Sequence, residues 1–172
     1  MDINFEKNRN LMVENQLRPN KITDPIILNL FKKIKKEDFL SEHIRDFSYN
    51  DLNIDLDDQR GYLKNLHIAQ MIHSANIIKV HKVLHLGGLT GYVSSILSFL
   101  CKELIVIENQ KDFVNQLEIN IDKLSIKNIK IITTSFYEGF LQDSPYDIIF
   151  IDNPVNGISD FLKDQVSSES GK

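Results

Sequence analysis

The chain of 172 residues has no tryptophan and a single cysteine, Cys101. One thiol excludes an internal disulfide, and its place beside the apolar run 96–100 marks it as a small core residue suited to a reducing interior. An excess of basic charge is also missing. The formal net charge is -4 and the pI about 5.7, so no electrostatic drive toward nucleic acid or an anionic membrane is expected. The one basic cluster, Lys32, Lys33, Lys35 and Lys36, is interrupted by Ile34 and followed by Glu37, and reads as a solvated helix end. No apolar run is long enough to cross a bilayer, and the first residues lack a basic-then-apolar signal pattern. A cytoplasmic protein with neither membrane nor nucleic acid as partner is the expectation.

What is present suits one domain with a sizeable core: 42% of residues are hydrophobic and 26% charged. There is no internal repeat, and only residues 167–172 form a polar tail. Residues 11–17 predict a helix that stops before Pro19. Asp24 predicts an N-cap with Pro25 at the first helical position, and Ile26, Ile27, Leu30, Phe31 and Ile34 form the stripe of that second helix. Residues 38–58 are polar and read as loop, anchored by Phe47 and Tyr49. A further helix over 63–77 would bury Leu66, Ala69, Ile72 and Ile77. From Lys82 onward strands and helices alternate: strands at 83–86, 104–107, 129–133 and 146–151, helices at 92–101 and 112–124. Their continuous apolar runs fit parallel strands covered on both faces. The expected layout is a helical cap with an acceptor-side loop over 1–78, and a doubly wound α/β core over 79–172.

Three of the seven glycines fall in Gly87-Gly88-Leu89-Thr90-Gly91, directly after the first of these strands. Such a turn lets a small molecule approach the main chain at the carboxyl end of a strand. Glu108 ends the next apolar run, near the spacing at which a carboxylate accepts from two ribose hydroxyls. The layout points to a nucleoside-like ligand. The spacing lacks the Gly-x-Gly-x-x-Gly of a pyrophosphate site.

Several blocks in a fixed order carry a resemblance. Arg9-x-x-Met12-Val13-x-x-Gln16-Leu17-Arg18, Ile22-Thr23-Asp24, Glu37-x-Phe39, Tyr49-x-Asp51, Ala69-x-Met71, the glycine turn, Glu108, Asn128, Tyr137-x-Gly139 and Pro145-Tyr146-Asp147 together resemble the protein-L-isoaspartate O-methyltransferase family. The resemblance covers residues 9–152. It implies a class I methyltransferase, Rossmann-like fold, S-adenosylmethionine as cofactor, and isoaspartyl-containing peptides or proteins as substrate. By position, Gly87, Gly88 and Gly91 would line the methionine part of the cofactor, Glu108 its ribose, and Ser135 and Phe136 its adenine. No metal is implied.

The chain departs from the family pattern at several places. His85 stands two places before the first glycine, where the family has an acidic residue. Leu89 replaces the middle glycine and adds bulk to the turn. Thr134-Ser135-Phe136 replaces Gly-Asp-Gly. The segment Gln59-Arg60-Gly61-Tyr62-Leu63-Lys64-Asn65 has no acceptor-site hydroxyl, though Arg60 could hold a substrate carboxylate by a bidentate contact. Past Asp152 the resemblance calls for three further strands, absent from the 20 residues that remain of 172. The strand 146–151 is thus expected to be a bare edge, covered by a dimer contact or a partner chain, unless the chain is a truncated product. A non-catalytic, methyltransferase-like binding module stays open beside the enzyme. Ile151-Asp152-Asn153-Pro154 carries half of the Asn/Asp-Pro-Pro-aromatic tetrad of amino-group methyltransferases and reads equally as a strand-ending turn.

Overall fold

A computed structural model describes residues 4–57, 60–168 and 171–172, which form two compact units, Met1–Asn76 and Ile77–Lys172.

The first unit begins with α1 (Phe5–Met12), capped by the Asn4 side chain, which accepts from Lys7 N. Its first turns lie ahead of the helix expected over 11–17, whose residues instead widen into a π turn, Val13–Leu17. Asp24 caps α2 (Pro25–Lys33) as expected, accepting from Ile26 N at 2.7 Å with Pro25 at the first position. The buried stripe is Ile27, Leu28, Leu30, Phe31 and Ile34, while Ile26 is exposed. At roughly 100° per residue, Ile26 and Leu28 flank Ile27 symmetrically, and packing rather than period selects Leu28. After a 3-10 turn, Lys36–Phe39, the loop leads to a short hairpin of β1 (Ile54–Asp55) and β2 (Gly61–Tyr62). Helix α3 (Asn65–Ala75) follows and ends at Asn76 in the left-handed region. Of the aromatic anchors Tyr49 is buried and Phe47 exposed.

The basic cluster is not wholly solvated. Lys36 is 0% exposed; its ammonium donates to Asn65 Oδ1 at 3.1 Å and to Leu63 O at 3.4 Å, and lies 5.4 Å from the Tyr62 ring centre. Charge spacing along the chain cannot show that a fold will close over one member of a cluster.

The second unit is built on a four-stranded parallel sheet in the order β5-β4-β3-β6, formed by β3 (Lys82–Leu86), β4 (Glu103–Ile107), β5 (Ile129–Ile132) and β6 (Ile148–Ile151). Helices α4 (Tyr92–Ser98) and α5 (Lys111–Lys123) link the first three strands, and α6 (Asp160–Lys163) follows β6. Leu84 and Leu86 of β3 and Ile105 and Ile107 of β4 form one core cluster with Phe136, Tyr146 and Leu162. The residues between them face the other way, His85 against Ser94 of α4 and Val106 toward Leu117 of α5. Both faces are covered, as the continuous apolar runs require.

The edge beyond β6 is not bare. Tyr146 pairs in parallel with Val166, Tyr146 N donates to Gln165 O at 2.8 Å, and Ile149 N donates to Lys172 O at 3.0 Å. The chain's own Gln165, Val166, Ser167 and Lys172 thus take main-chain positions that the sequence had left to a dimer or partner chain over 146–151. Gln165 locks this return: its side chain accepts from Phe140 N at 2.8 Å and donates to Glu138 O at 2.7 Å.

Candidate functional site

The register brings four strand ends level. Leu86 pairs with Ile107 and Ile151, and Ile107 with Ile132, so Gly87, Glu108, Thr133 and Asp152 are the next residues along one rim. The strand order reverses between β3 and β6, and in open parallel sheets a ligand crevice forms at the carboxyl ends beside that reversal.

The glycine turn is tightly held there. Gly87 N and Gly88 N donate to Ile107 O at 3.0 and 3.2 Å, Gly91 N to Gly88 O at 2.9 Å, and Asn120 of α5 donates to Thr90 O at 2.8 Å. Gly87 and Gly91 have φ of +103° and +99°, which a side chain would strain. Gly87 also lies against the loop after β6, since a Cβ there would stand 2.8 Å from Asn153 Cβ. Gly88 has a different reason for being glycine: a Cβ would fall 2.6 Å from both Leu117 Cδ1 and Val106 Cγ1. It seats the turn on the helix layer.

Leu89 adopts φ +47° and is 3% exposed. The bulk expected to crowd a ligand is therefore packed inside the protein, and the departure is expressed as backbone strain.

Glu108 is 0% exposed. Its Oε2 accepts from Leu89 N at 2.8 Å and its Oε1 from Asn109 N and Gln110 N, both at 2.9 Å. The carboxylate braces the turn, a role that spacing alone did not indicate.

Phe136, expected to flank an adenine, is buried in the core cluster with Leu84 and Ile107 at 7% exposure. A large apolar side chain following a strand gains more from that cluster than from a solvent-facing rim. Ser135 is half-buried, and its hydroxyl accepts from Tyr137 N at 3.3 Å.

His85 is fully buried, with Nδ1 2.9 Å from Ser94 Oγ and Nε2 2.9 Å from Asp152 Oδ1. A hydroxyl and a carboxylate satisfy its two ring nitrogens. Asn120, Ser94 and Asp152 carry site geometry that the sequence reading did not assign. The signal available was slight: Asp152 ends an apolar strand on the same rim as Glu108.

Several blocks of the motif prove structural. Arg9, Glu37 and Tyr49 meet in one buried trio, and Gln16 Nε2 donates to Tyr49 O at 3.1 Å. Asn128 donates to Ser98 O at 2.9 Å, and Asp147 Oδ2 accepts from Lys82 N at 2.8 Å. Arg60 precedes β2 and its N donates to Asp57 Oδ1 at 2.6 Å; Gln59 lies outside the described residues. Among the described residues no helix is long and apolar enough to cross a membrane, and no three metal-ligating side chains cluster.

A family model described as protein-L-isoaspartate(D-aspartate) O-methyltransferase (PCMT) matches residues 6–172. A Koribacter versatilis protein-L-isoaspartate O-methyltransferase is 28% identical over 147 residues, 86% of this chain and 66% of its own length. A Syntrophobacter fumaroxidans protein-L-isoaspartate O-methyltransferase 1 is 26% identical over 170 residues, 99% of this chain and 79% of its own. Among solved structures, a protein-L-isoaspartate O-methyltransferase superposes with a TM-score of 0.81 at 21% identity, over 96% of this chain and 53% of that one. A Plasmodium falciparum structure, described as a proposed member of that enzyme class in complex with S-adenosyl-L-homocysteine, gives 0.75 at 19% identity, over 96% and 81%. The chain thus spans about two thirds of the first relative and about half of the first structure. These likenesses establish the Rossmann-like methyltransferase fold.

Proposed function

Because the chain belongs to the protein-L-isoaspartate(D-aspartate) O-methyltransferase family, we propose that it binds S-adenosylmethionine and methylates isoaspartyl carboxylates of damaged proteins in the cytoplasm. The observation that carries the reading is the turn from Gly87 to Gly91, held open by two positive-φ glycines at the reversal of strand order. This is where a parallel sheet seats a nucleoside-like ligand.

The residues present fit such a ligand. Gly87 and Gly91 bring the main chain to the rim, Glu108 fixes the path of the turn, and Asp152 adds a second carboxylate beside it. When bound, the cofactor would supply a methyl on cationic sulfur, passed to a carboxylate oxygen as the C–S electron pair returns to sulfur. The chain's part is alignment: an in-line displacement needs its reactants held in register more than it needs an acid or a base. Glu108 remains the candidate for the ribose, and Ser135 the candidate on the adenine side.

Transfer of labelled methyl to an isoaspartyl peptide, beside its normal aspartyl twin, tests the reading. Labelling of the isoaspartyl peptide alone is expected. Equal labelling of both would point to another acceptor, and no heat with millimolar S-adenosylmethionine would return the chain to a non-catalytic module.

A further inference from the structure

Asp152 is the first residue past β6 and Gly87 the first past β3, so both stand at the reversal of strand order. A β-carbon on Gly87 would lie 3.1 Å from Asp152 Oδ1; the carboxylate sits against the start of the glycine turn. Its side chain is only 5% exposed. Enclosed carboxylates need donors or a counter-charge. Oδ1 has one, His85 Nε2 at 2.9 Å. The Nε2–H tautomer satisfies both histidine contacts, Nε2 donating to Asp152 and Nδ1 accepting from the Ser94 hydroxyl. That arrangement requires no positive charge on the imidazole. Among the described residues no lysine or arginine pairs with Asp152, and Oδ2 accepts no hydrogen bond.

A serine, histidine and aspartate in hydrogen-bonded series also describes a hydrolytic triad. Here the Ser94 residue is 0% exposed within α4, so its hydroxyl cannot reach a substrate. The series runs the other way, with Ser94 and His85 orienting the carboxylate.

We propose that Oδ2 of Asp152 receives the α-ammonium group of the amino-acid end of an S-adenosylmethionine-type ligand, with His85 as the positioning residue. An ammonium carries three N–H donors and a full charge, matching an oxygen with open lone pairs. A sulfonium offers no donor. The inference rests on the cofactor reading above, and it names a residue from β6 as the carboxylate of that subsite although β3 carries histidine.

Calorimetry with three ligands tests it: S-adenosylhomocysteine, its analogue lacking the α-amino group, and 5′-methylthioadenosine, which lacks the amino-acid part. The unaltered protein should prefer S-adenosylhomocysteine over the deamino analogue by about tenfold or more. Asp152→Asn should abolish that preference while binding methylthioadenosine as tightly as before. Asp152→Ser, a second uncharged variant, should do the same, and His85→Asn should diminish the preference with methylthioadenosine again unchanged. Equal binding of the first two ligands by the unaltered protein overturns the proposal, as does a preference surviving Asp152→Asn. A parallel loss for all three ligands would make Asp152 structural and overturn it too. If the unaltered protein binds none of the three, the cofactor reading itself fails, an outcome distinct from the others.

Discussion

Arg9 and Glu37 lie 28 positions apart and meet at 2.9 Å, their side chains 8% and 9% exposed. Tyr49 closes the group, its hydroxyl donating to the other Glu37 oxygen and accepting from Arg9 at 3.3 Å. Three blocks of the N-terminal motif are thus one buried polar network. Removing a single partner leaves a charge uncompensated, so Arg9→Ala is expected to destabilise the protein by about 3–5 kcal/mol. Tyr49→Phe, which deletes one hydroxyl, should cost about 1–2 kcal/mol. Denaturant unfolding of each variant checks both values.

Lys36 makes stability depend on pH. Burial pushes its ammonium down from 10.5 to about 7. Between those values the folded chain binds fewer protons than the unfolded one, so stability rises with pH from about 7, by at most about 1.4 kcal/mol per unit. From about 9 the opposite sign enters. Burial pushes the Cys101 thiol up to about 12 and raises the Tyr49 and Tyr146 hydroxyls, and stability falls as these groups ionise in the unfolded chain. Unfolding curves from pH 6 to 10 should show the rise, and Lys36→Met should flatten it.

Two adjacent glycines should respond differently to alanine. Gly88→Ala drives a methyl into Leu117 and Val106 and should cost about 1–3 kcal/mol by overpacking. Gly87→Ala strains a φ of +103° and presses on Asn153 and Asp152, so ligand affinity should fall along with stability. Thermal melting beside S-adenosylhomocysteine titration separates the two effects.

Leu89→Gly removes a strain of about 1–2 kcal/mol but also a side chain at 3% exposure, whose loss costs about 2–5 kcal/mol. The net expectation is destabilisation. A stabilised variant in urea titration would mean that the side chain contributes little packing.

Glu108→Gln retains the shape but sets an amide against Leu89 N, Asn109 N or Gln110 N. A loss of about 1–3 kcal/mol in stability is expected, with weaker binding of both S-adenosylhomocysteine and methylthioadenosine. Unchanged methylthioadenosine affinity, measured by calorimetry, would remove Glu108 from the ribose.

The strands were legible because each is a short, mostly apolar run that ends in a polar residue or glycine, and the Asp24–Pro25 start of α2 because cap and first turn lie within two positions. Ile26 against Leu28 was not, since both lie equally far from the centre of the stripe. The glycine turn and Glu108 announced a rim, but only tertiary structure shows Glu108 committed to main-chain N–H groups. Phe136 followed the adenine expectation by position until the core cluster claimed its ring. Asp152 was visible as a strand-ending residue, yet its meaning depends on His85, 67 positions earlier, and no local pattern links the two.

The contacts of Gln165, Ser167 and Lys172 alongside β6 have a practical corollary. Lys172 N donates to Asp147 O at 3.0 Å, and Lys172 O accepts from Ile149 N, three positions before Asp152. A fluorophore or spin label at residue 172 would therefore ride on the sheet. It would sense the strand that ends at the proposed ammonium subsite, and it would disturb that strand if it were bulky.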